Sequence, residues 1–305
     1  MTVSKEEITR VKGLGFLNHK GTDTFAARVI TRNGKLTARE SRKILEAAEK
    51  FGSGDIAMTV RQAVEVQGIP YENIEPFQEF LAEEGLVTGG TGPKVRPIVS
   101  CKGTTCQYGL LDSFGVSEEI HNRFYTGYHS VKLPHKFKIA VGGCPNNCVK
   151  PDINDLGIIG QCVPQPDYDK CRGCKVCVIE KVCPMGAAMK REDGKMRIDT
   201  AVCINCGRCD GKCPFHTTDN GLRGYKVTIG GRWGKKMARG RAIEKVIQDK
   251  DEMLDIVEKA ILLFREQGEP KERFADTISR IGFENVQEQL LDNGLLERKE
   301  QILAD

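Results

Sequence analysis

Apolar positions recur with a period of two in short stretches and about 3.6 in longer ones, and the two periods trade places along the chain. Phe25 to Ile30 reads as a strand, and Asn33-Gly34 as a turn. Thr37, with Glu40 three residues on, opens a helix through a capping box, and Ile44, Leu45, Ala47 and Ala48 supply its apolar stripe before Gly52. Strands are expected at Ile56 to Val60 and Ala63 to Val66. A second helix begins near Glu75-Pro76, carries Phe77, Phe80 and Leu81 on one side, and stops at Gly85. Helices set between strands in so short a span predict a ferredoxin-like sheet with helices on one face. Gly89-Gly90-Thr91-Gly92-Pro93 marks a boundary. Beyond it the pattern predicts strands at Val95 to Val99, Phe137 to Val141 and Tyr225 to Ile229, and a helix at Val116 to Phe124. Ile243, Val246, Ile247, Leu254, Val257, Ile261 and Leu262 read as one long helix over Arg241 to Glu266. A last helix runs from about Lys271 to Ile281. Phe283 onward is a short tail, with Glu284 to Asp305 a solvent-facing amphipathic helix at best.

Residues 168–217 break the pattern, being too polar and too short of large hydrophobic side chains to fold without metal. Three units follow: 1–88, 89–167 together with 218–305, and an insertion at 168–217. The chain has 305 residues, 39% hydrophobic and 29% charged, with a net charge of +4. So mild a balance gives no reason to expect nucleic acid or a membrane surface as partner. No run of 18 apolar residues exists to insert in a bilayer, and the N-terminus carries no secretory signal. Thirteen cysteines, an odd number with eight between 171 and 213, do not resemble a secreted disulfide framework. They point to soft-metal ligation in a reducing, cytoplasmic setting.

The spacing Cys171-x-x-Cys174-x-x-Cys177 is followed by Cys183-Pro184, and Cys203-x-x-Cys206-x-x-Cys209 by Cys213-Pro214. In two-cluster ferredoxins three close thiolates hold one [4Fe–4S] cube, and the cysteine before proline ligates the other. One cluster is therefore expected on Cys171, Cys174, Cys177 and Cys213, the second on Cys203, Cys206, Cys209 and Cys183. Paired CxxC units also make zinc sites, but the doubled CxxCxxC with a trailing Cys-Pro favours iron–sulfur. Cys101 and Cys106, with Cys144 and Cys148, form a split set in which each pair follows a predicted strand. Two such loops could gather four thiolates round a third cube. Cys162 stands alone and reads as a small buried hydrophobe. His135 reads as a contributor to pocket electrostatics and His216 as a loop residue. No dinucleotide fingerprint or Walker motif is present, which leaves nicotinamide or flavin chemistry to another subunit.

The run Leu133-Pro-His-Lys136-Phe-Lys138-Ile-Ala-Val-Gly-Gly-Cys144-Pro-Asn-Asn-Cys148, with Asp155-Leu-Gly-Ile-Ile-Gly160 beyond it, resembles the signature of the sirohaem-dependent nitrite and sulfite reductases. The layout is nearest to small anaerobic sulfite reductases with an inserted two-cluster ferredoxin. The resemblance implies an α+β protein: a ferredoxin-like half domain, then a sirohaem/[4Fe–4S] α/β domain carrying a bacterial-type 2×[4Fe–4S] ferredoxin insert. It implies that Cys101, Cys106, Cys144 and Cys148 hold the third cube and that Cys148 also ligates sirohaem iron. Four residues separate the first pair, where many members have five. Arg96, Lys136 and Lys138 resemble cations that act on the substrate anion, with Arg96 and Lys136 also touching the haem carboxylates. Arg61, in Thr59-Val-Arg61-Gln62, resembles a residue gripping those carboxylates. Arg28 matches one arginine of the family's Arg-x-Arg strand, and Ile30 replaces the second. The implied reaction is six-electron reduction of sulfite to sulfide, with nitrite to ammonia as the alternative substrate. The different-class alternative is a non-catalytic iron–sulfur subunit without sirohaem. An electron-donor protein or reductase subunit is implied. Larger members carry two such repeats, so a chain with one is expected to form a homodimer or hetero-oligomer.

Overall fold

The computed structural model describes residues 3–304. The chain divides into two compact units. The first comprises the stretch ending at Ser100, Ser117–Ile139 and the stretch from Lys259 onward; the second comprises Cys101–Val116 and Ala140–Glu258.

The first unit opens with α1 (Lys5–Gly13) and a four-stranded antiparallel sheet: β1 (Phe16–Asn18), β2 (Thr24–Val29), β3 (Ile56–Met58) and β4 (Val64–Pro70), in the order β1-β2-β4-β3. Helix α2 (Ala38–Phe51) starts at the capping box, where Glu40 N–H donates to Thr37 Oγ1 at 3.1 Å and Thr37 N–H to the Glu40 carboxylate at 2.7 Å. It buries Ile44, Ala47, Ala48 and Phe51, and α3 (Ile74–Ala82) buries Ile74, Phe77 and Leu81. Both stripes join Phe16, Phe25, Val66 and Ile69 of the sheet in one core. Phe77 stands edge-on to both Phe16 and Phe51. The short β5 (Val99–Ser100) leads to Cys101.

After α4 (Ser113–Ile120) one wide turn of π-helix, His121–Thr126, buries His121 against the Tyr125 ring, with centroids 4.7 Å apart. His121 is 6% exposed and its Nδ1 has no hydrogen-bond partner. Burial first, then the Arg32 charge, lowers its pKa from 6.5 to about 4. The unfolded chain takes up this proton near 6.5, the folded one only near 4. Stability is therefore full above pH 6.5 and falls through that window, by up to about 3 kcal/mol. Substituting His121→Phe should flatten the acid limb of a denaturation-midpoint profile between pH 6.5 and 4.

In the second unit β6 (Ile139–Gly142), β7 (Leu156–Val163), β10 (Leu222–Ile229) and β11 (Arg241–Ile247) lie in the order β11-β10-β7-β6. Helix α5 (Val178–Val182) and the hairpin of β8 (Ala188–Lys190) and β9 (Met196–Ile198) belong to the segment between β7 and β10. The single helix expected over Arg241 to Glu266 is corrected: β11 occupies its first part, and α6 (Lys250–Gln267) follows. On β10, Lys226 pairs with Val246 and Thr228 with Ala242, so two steps on one strand face four on the other. This bulge buries Ile243 and Ile247, four apart, and so imitates helical spacing.

Helix α7 (Phe274–Ile281) comes next. The tail is also corrected, because α8 (Phe283–Leu291), α9 (Gly294–Glu297) and α10 (Lys299–Ala304) follow and bury Phe283, Val286, Leu290, Leu295 and Ile302. Arg265 fastens the end, donating from Nε to Ile302 O at 2.7 Å and from Nη2 to Leu303 O at 3.3 Å. Among the described residues no helix is long and apolar enough to cross a membrane.

Candidate metal centres and anion-binding residues

Cys171, Cys174, Cys177 and Cys213 line one cavity of the second unit, which with the solvent it opens to holds about 460 Å³ of atom-free space. Cys183, Cys203, Cys206 and Cys209 line another, of about 370 Å³. Each cysteine preceding a proline thus lines the cavity of the other motif. Local backbone explains how a CxxC pair turns both sulfurs inward. Gly173 and Asn205 occupy the same place in their motifs, and both are left-handed, at φ 62° and 54°. The apolar cluster beneath is small: Ile179, Ala188 and Met196, with cysteines packed around it. Backbone amides address the sulfurs, Met196 N–H to Cys171 Sγ and Asn205 N–H to Cys203 Sγ, both at 3.4 Å. Among the described residues no three His, Cys, Asp or Glu side chains close on a single ion; these sulfurs stand round a space. Four thiols per cavity with amide donors are the donor set of a cluster.

Burial pushes the Cys209 thiol up to about 12 and also raises Cys203. At Cys213 burial works upward too, but bonds from Thr217 and the Phe215 amide outweigh it and leave the thiol below its ordinary value. A metal held here would therefore have to displace protons, which would couple its binding to folding. Removing iron with a chelator should open residues 168–217 to protease while the helices and sheet around Phe77 stay protected. Mass mapping of the first cleavage sites would check this.

The third set lies where β5 and β6 end. Cys101 N–H donates to Val141 O at 3.1 Å, and Gly143 N–H to Cys101 Sγ at 3.0 Å. Burial raises the Cys144 thiol against an Asn146 amide bond, and the nearby thiols of Cys101, Cys148 and Cys106 raise it further. Cys148 is the exposed member of the four. The loops press backbone to backbone: a Cβ on Gly143 would stand 2.7 Å from Gly103 Cα, and one on Gly160 2.4 Å from Gly143 O. Gly143→Ala should cost about 2–4 kcal/mol and lower iron content, read by denaturation midpoint and iron assay. Cys162 is buried in β7, its N–H donating to Asn205 O at 2.8 Å.

The first unit gathers the cations. The segment after Pro93 runs parallel to residues 133–137: Phe137 N–H donates to Lys94 O at 3.0 Å and Arg96 N–H to Phe137 O at 2.8 Å. Phe137 is fully buried against Phe264 and Phe274. Alternation then turns Lys136 and Lys138 to the opposite side. His135 reports their shared field: its pKa is lowered by burial, then by Lys136, Arg273, Arg96 and Lys138. Arg273 is a cation of this group that sequence reasoning missed. It lies far from the signature along the chain, so no motif marks it. Arg96 Nη1 donates to Gly90 O, which Arg28 Nη1 also reaches at 3.3 Å. Gly90 has φ 72°, and a Cβ there would meet Ile30, Pro97 and Arg28 within 3.3 Å. Arg61 Nη2 donates to Pro97 O at 2.9 Å, and the Gln62 amide both donates to and accepts from the Ser100 backbone.

Two family models match the chain: the nitrite and sulphite reductase 4Fe-4S domain over residues 91–297 and the nitrite/sulfite reductase ferredoxin-like half domain over residues 18–84. The chain belongs to the nitrite and sulfite reductase family. It is 31% identical over 274 residues to the coenzyme F420-dependent sulfite reductase of Methanocaldococcus jannaschii, covering 88% of this chain and 42% of that protein. A subunit of the anaerobic sulfite reductase of Salmonella typhimurium is 33% identical over 148 residues, 44% of this chain and 42% of that one. Among solved structures, dissimilatory sulfite reductase I matches with a TM-score of 0.70 at 21% identity, over 87% of this chain and 68% of that chain, a likeness of fold. Because the chain spans less than half of either curated relative, family membership establishes an iron–sulfur oxidoreductase fold and leaves the reaction to its own residues.

Two residues at the end of β2 bear on this cation group. Arg28 is tied to Glu65 of β4, with Nη2 and Nε at 2.6 and 3.0 Å from one carboxylate oxygen. Ile30, where the resemblance places a second arginine, is 5% exposed and packs beside Gly90. The cation group therefore rests on Arg96, Lys136, Lys138 and Arg273 more than on β2. His216, exposed and at φ 59°, bonds Asp219 through its ring and donates its N–H to Cys213 O at 3.0 Å, and it does not line the cavity.

Proposed function

We propose that the chain is a sirohaem-dependent sulfite reductase that reduces sulfite to sulfide with six electrons. Its domains would be the half domain at 1–88, the cofactor domain at 89–167 and 218–305, and a two-cluster ferredoxin insert at 168–217. The observation that carries this reading is the grouping of twelve cysteines into three sets of four, together with a cation group, in a chain of this family. Cys101, Cys106, Cys144 and Cys148 would hold the third cluster, with Cys148 shared by the haem iron. Bound sirohaem supplies the open iron position and the multi-electron chemistry. Arg61, Arg96 and Lys136 would neutralise haem carboxylates. Arg96, Lys136 and Lys138 orient the anion and stay cationic as its oxygens are drawn off as water, with Arg28 a further cation once released from Glu65. His135 Nδ1 accepts from Lys136 N–H at 2.7 Å. The neutral ring, favoured by its lowered pKa, then carries its hydrogen on Nε2 and can offer it as a hydrogen bond. We assign the active form to a homodimer or hetero-oligomer in the cytoplasm, fed by a separate electron donor.

An anaerobic absorption spectrum with iron analysis and acid extraction tests this. About 13 iron atoms per chain, four for each of three clusters and one for the haem, and an extractable sirohaem whose bands shift with sulfite are expected. Clusters without tetrapyrrole, in protein from cells able to make sirohaem, would overturn it and leave an electron-transfer subunit. Turnover with nitrite as competing substrate then separates the two anions.

A further inference from the structure

We propose that the cavity of Cys171, Cys174, Cys177 and Cys213 is the electron entry point and that its rim docks an acidic one-electron carrier protein. This rests on the iron–sulfur reading above and adds the direction of flow and the chemistry of the donor.

Direction follows from what each cavity touches. The wall of the Cys183/Cys203/Cys206/Cys209 cavity includes Cys162 of β7. Cys162 N–H donates to Asn205 O, and a Cβ on Gly207 would stand 2.9 Å from Cys162 and 3.1 Å from Leu110. Leu110 N–H donates to Gly143 O at 2.8 Å, and Gly143 N–H to Cys101 Sγ. Close packing thus runs from the second cavity to the third cysteine set. The first cavity is lined by residues 171–217 alone. It is the outer end of the series.

Its rim has the make-up of a docking site. Val176, Val178 and Phe215 line it and are 56%, 42% and 42% exposed. Arg172 and Lys190 line it as well, no carboxylate does, and exposed Lys175 lies between Cys174 and Val176. Residues 168–217 carry ten Lys and Arg against six Asp and Glu, a net +4 equal to that of the whole chain. Lys190 Nζ donates to Cys174 O at 3.0 Å, which leaves Arg172 and Lys175 as the exposed cations beside an apolar centre; this fits an acidic partner, because complementary charge speeds encounter and apolar contact shortens the electron path. In the step itself the reduced carrier would lose one electron to a cluster held by Cys171, Cys174, Cys177 and Cys213, with no bond broken and no proton moved.

Stopped-flow bleaching of the anaerobic, iron-loaded chain by a reduced acidic [2Fe–2S] ferredoxin tests this, with dithionite as a small reductant that needs no docking. The expected rate with ferredoxin falls steeply as salt rises. In the Arg172→Glu/Lys175→Glu variant it falls at least about tenfold, ferredoxin binding by calorimetry weakens in parallel, and dithionite bleaching is unchanged. Arg208→Glu, at the second cavity, should leave the ferredoxin rate within about twofold. Should the double variant fail to retain iron, the salt dependence of the unaltered chain decides. A salt-independent ferredoxin rate, or one that responds to Arg208→Glu instead, overturns the docking proposal while the clusters stand. A chain that holds no iron and does not bleach with dithionite overturns the iron–sulfur reading and the docking with it.

Discussion

Cys183→Ser is expected to remove the iron held by Cys203, Cys206 and Cys209 and to spare that held by Cys171, Cys174 and Cys177; Cys213→Ser should do the reverse. Nearness in sequence predicts the opposite, since Cys183 lies six residues from Cys177 and twenty from Cys203. The cavities decide against nearness. Cys183 shares its walls with the second motif, Cys213 with the first, and neither thiol lines both. Serine keeps the side chain's size but offers iron a poor oxygen ligand. Each variant should therefore lose up to about four iron atoms per chain, and low-temperature EPR of the reduced protein should show one insert cluster fewer. Single variants of Cys177 and Cys209 give the matching signatures: Cys177→Ser should resemble Cys213→Ser, and Cys209→Ser should resemble Cys183→Ser. Pairing by sequence neighbourhood would be established instead if Cys183→Ser and Cys177→Ser emptied the same site.

These cysteines were legible because their geometry is written in short spacings: a left-handed Gly or Asn between the first and second positions suffices to turn two sulfurs inward. The first unit was legible for a similar reason. The capping box at Thr37 and the stripe of Ile44, Ala47 and Ala48 are local signals, and the core that they join confirms them. What escaped was set by partners distant in sequence. Ile243 and Ile247 carry helical spacing, and only the bulge against β10 makes them strand residues. The helices after Gly282 look like a polar tail until Arg265 and Glu266 grip them: Arg265 takes the Ile302 and Leu303 carbonyls, and Glu266 holds Arg298 at 2.8 and 3.0 Å. Arg28 shows the same limit within the candidate site. Its strand position was readable, but its engagement with Glu65 depends on β2–β4 register, in which Arg28 lies directly opposite Glu65. Arg273 enters the cation group from the start of α7, 135 residues beyond Lys138.

The largest kinetic effect is expected at the cations flanking Phe137. Lys136→Met and Lys138→Met, each keeping the aliphatic stem and deleting the charge, should lower kcat for sulfite by about 10²- to 10³-fold, some 2.7–4 kcal/mol of transition-state stabilisation. The fold should hold, because the buried anchor of this segment is Phe137, packed against Phe264 and Phe274, and neither lysine enters that contact. A pH profile separates a chemical role from mere anion attraction. Among the charges lowering the His135 pKa, that of Lys136 acts most strongly, so removing it lets the pKa rise toward 6.5. If His135 must be neutral to accept the Lys136 amide and present Nε2–H, activity is lost as pH falls through its pKa. The acid limb of kcat should then move to higher pH in Lys136→Met, and vanish in His135→Gln at a uniformly lower rate. A variant in which KM alone rises, with kcat and the acid limb unmoved, would reduce Lys136 to a residue that draws the anion in. Loss of extractable haem in Lys136→Met would instead assign the lysine to the macrocycle's carboxylates, a role that the spectrum reports before any rate is measured.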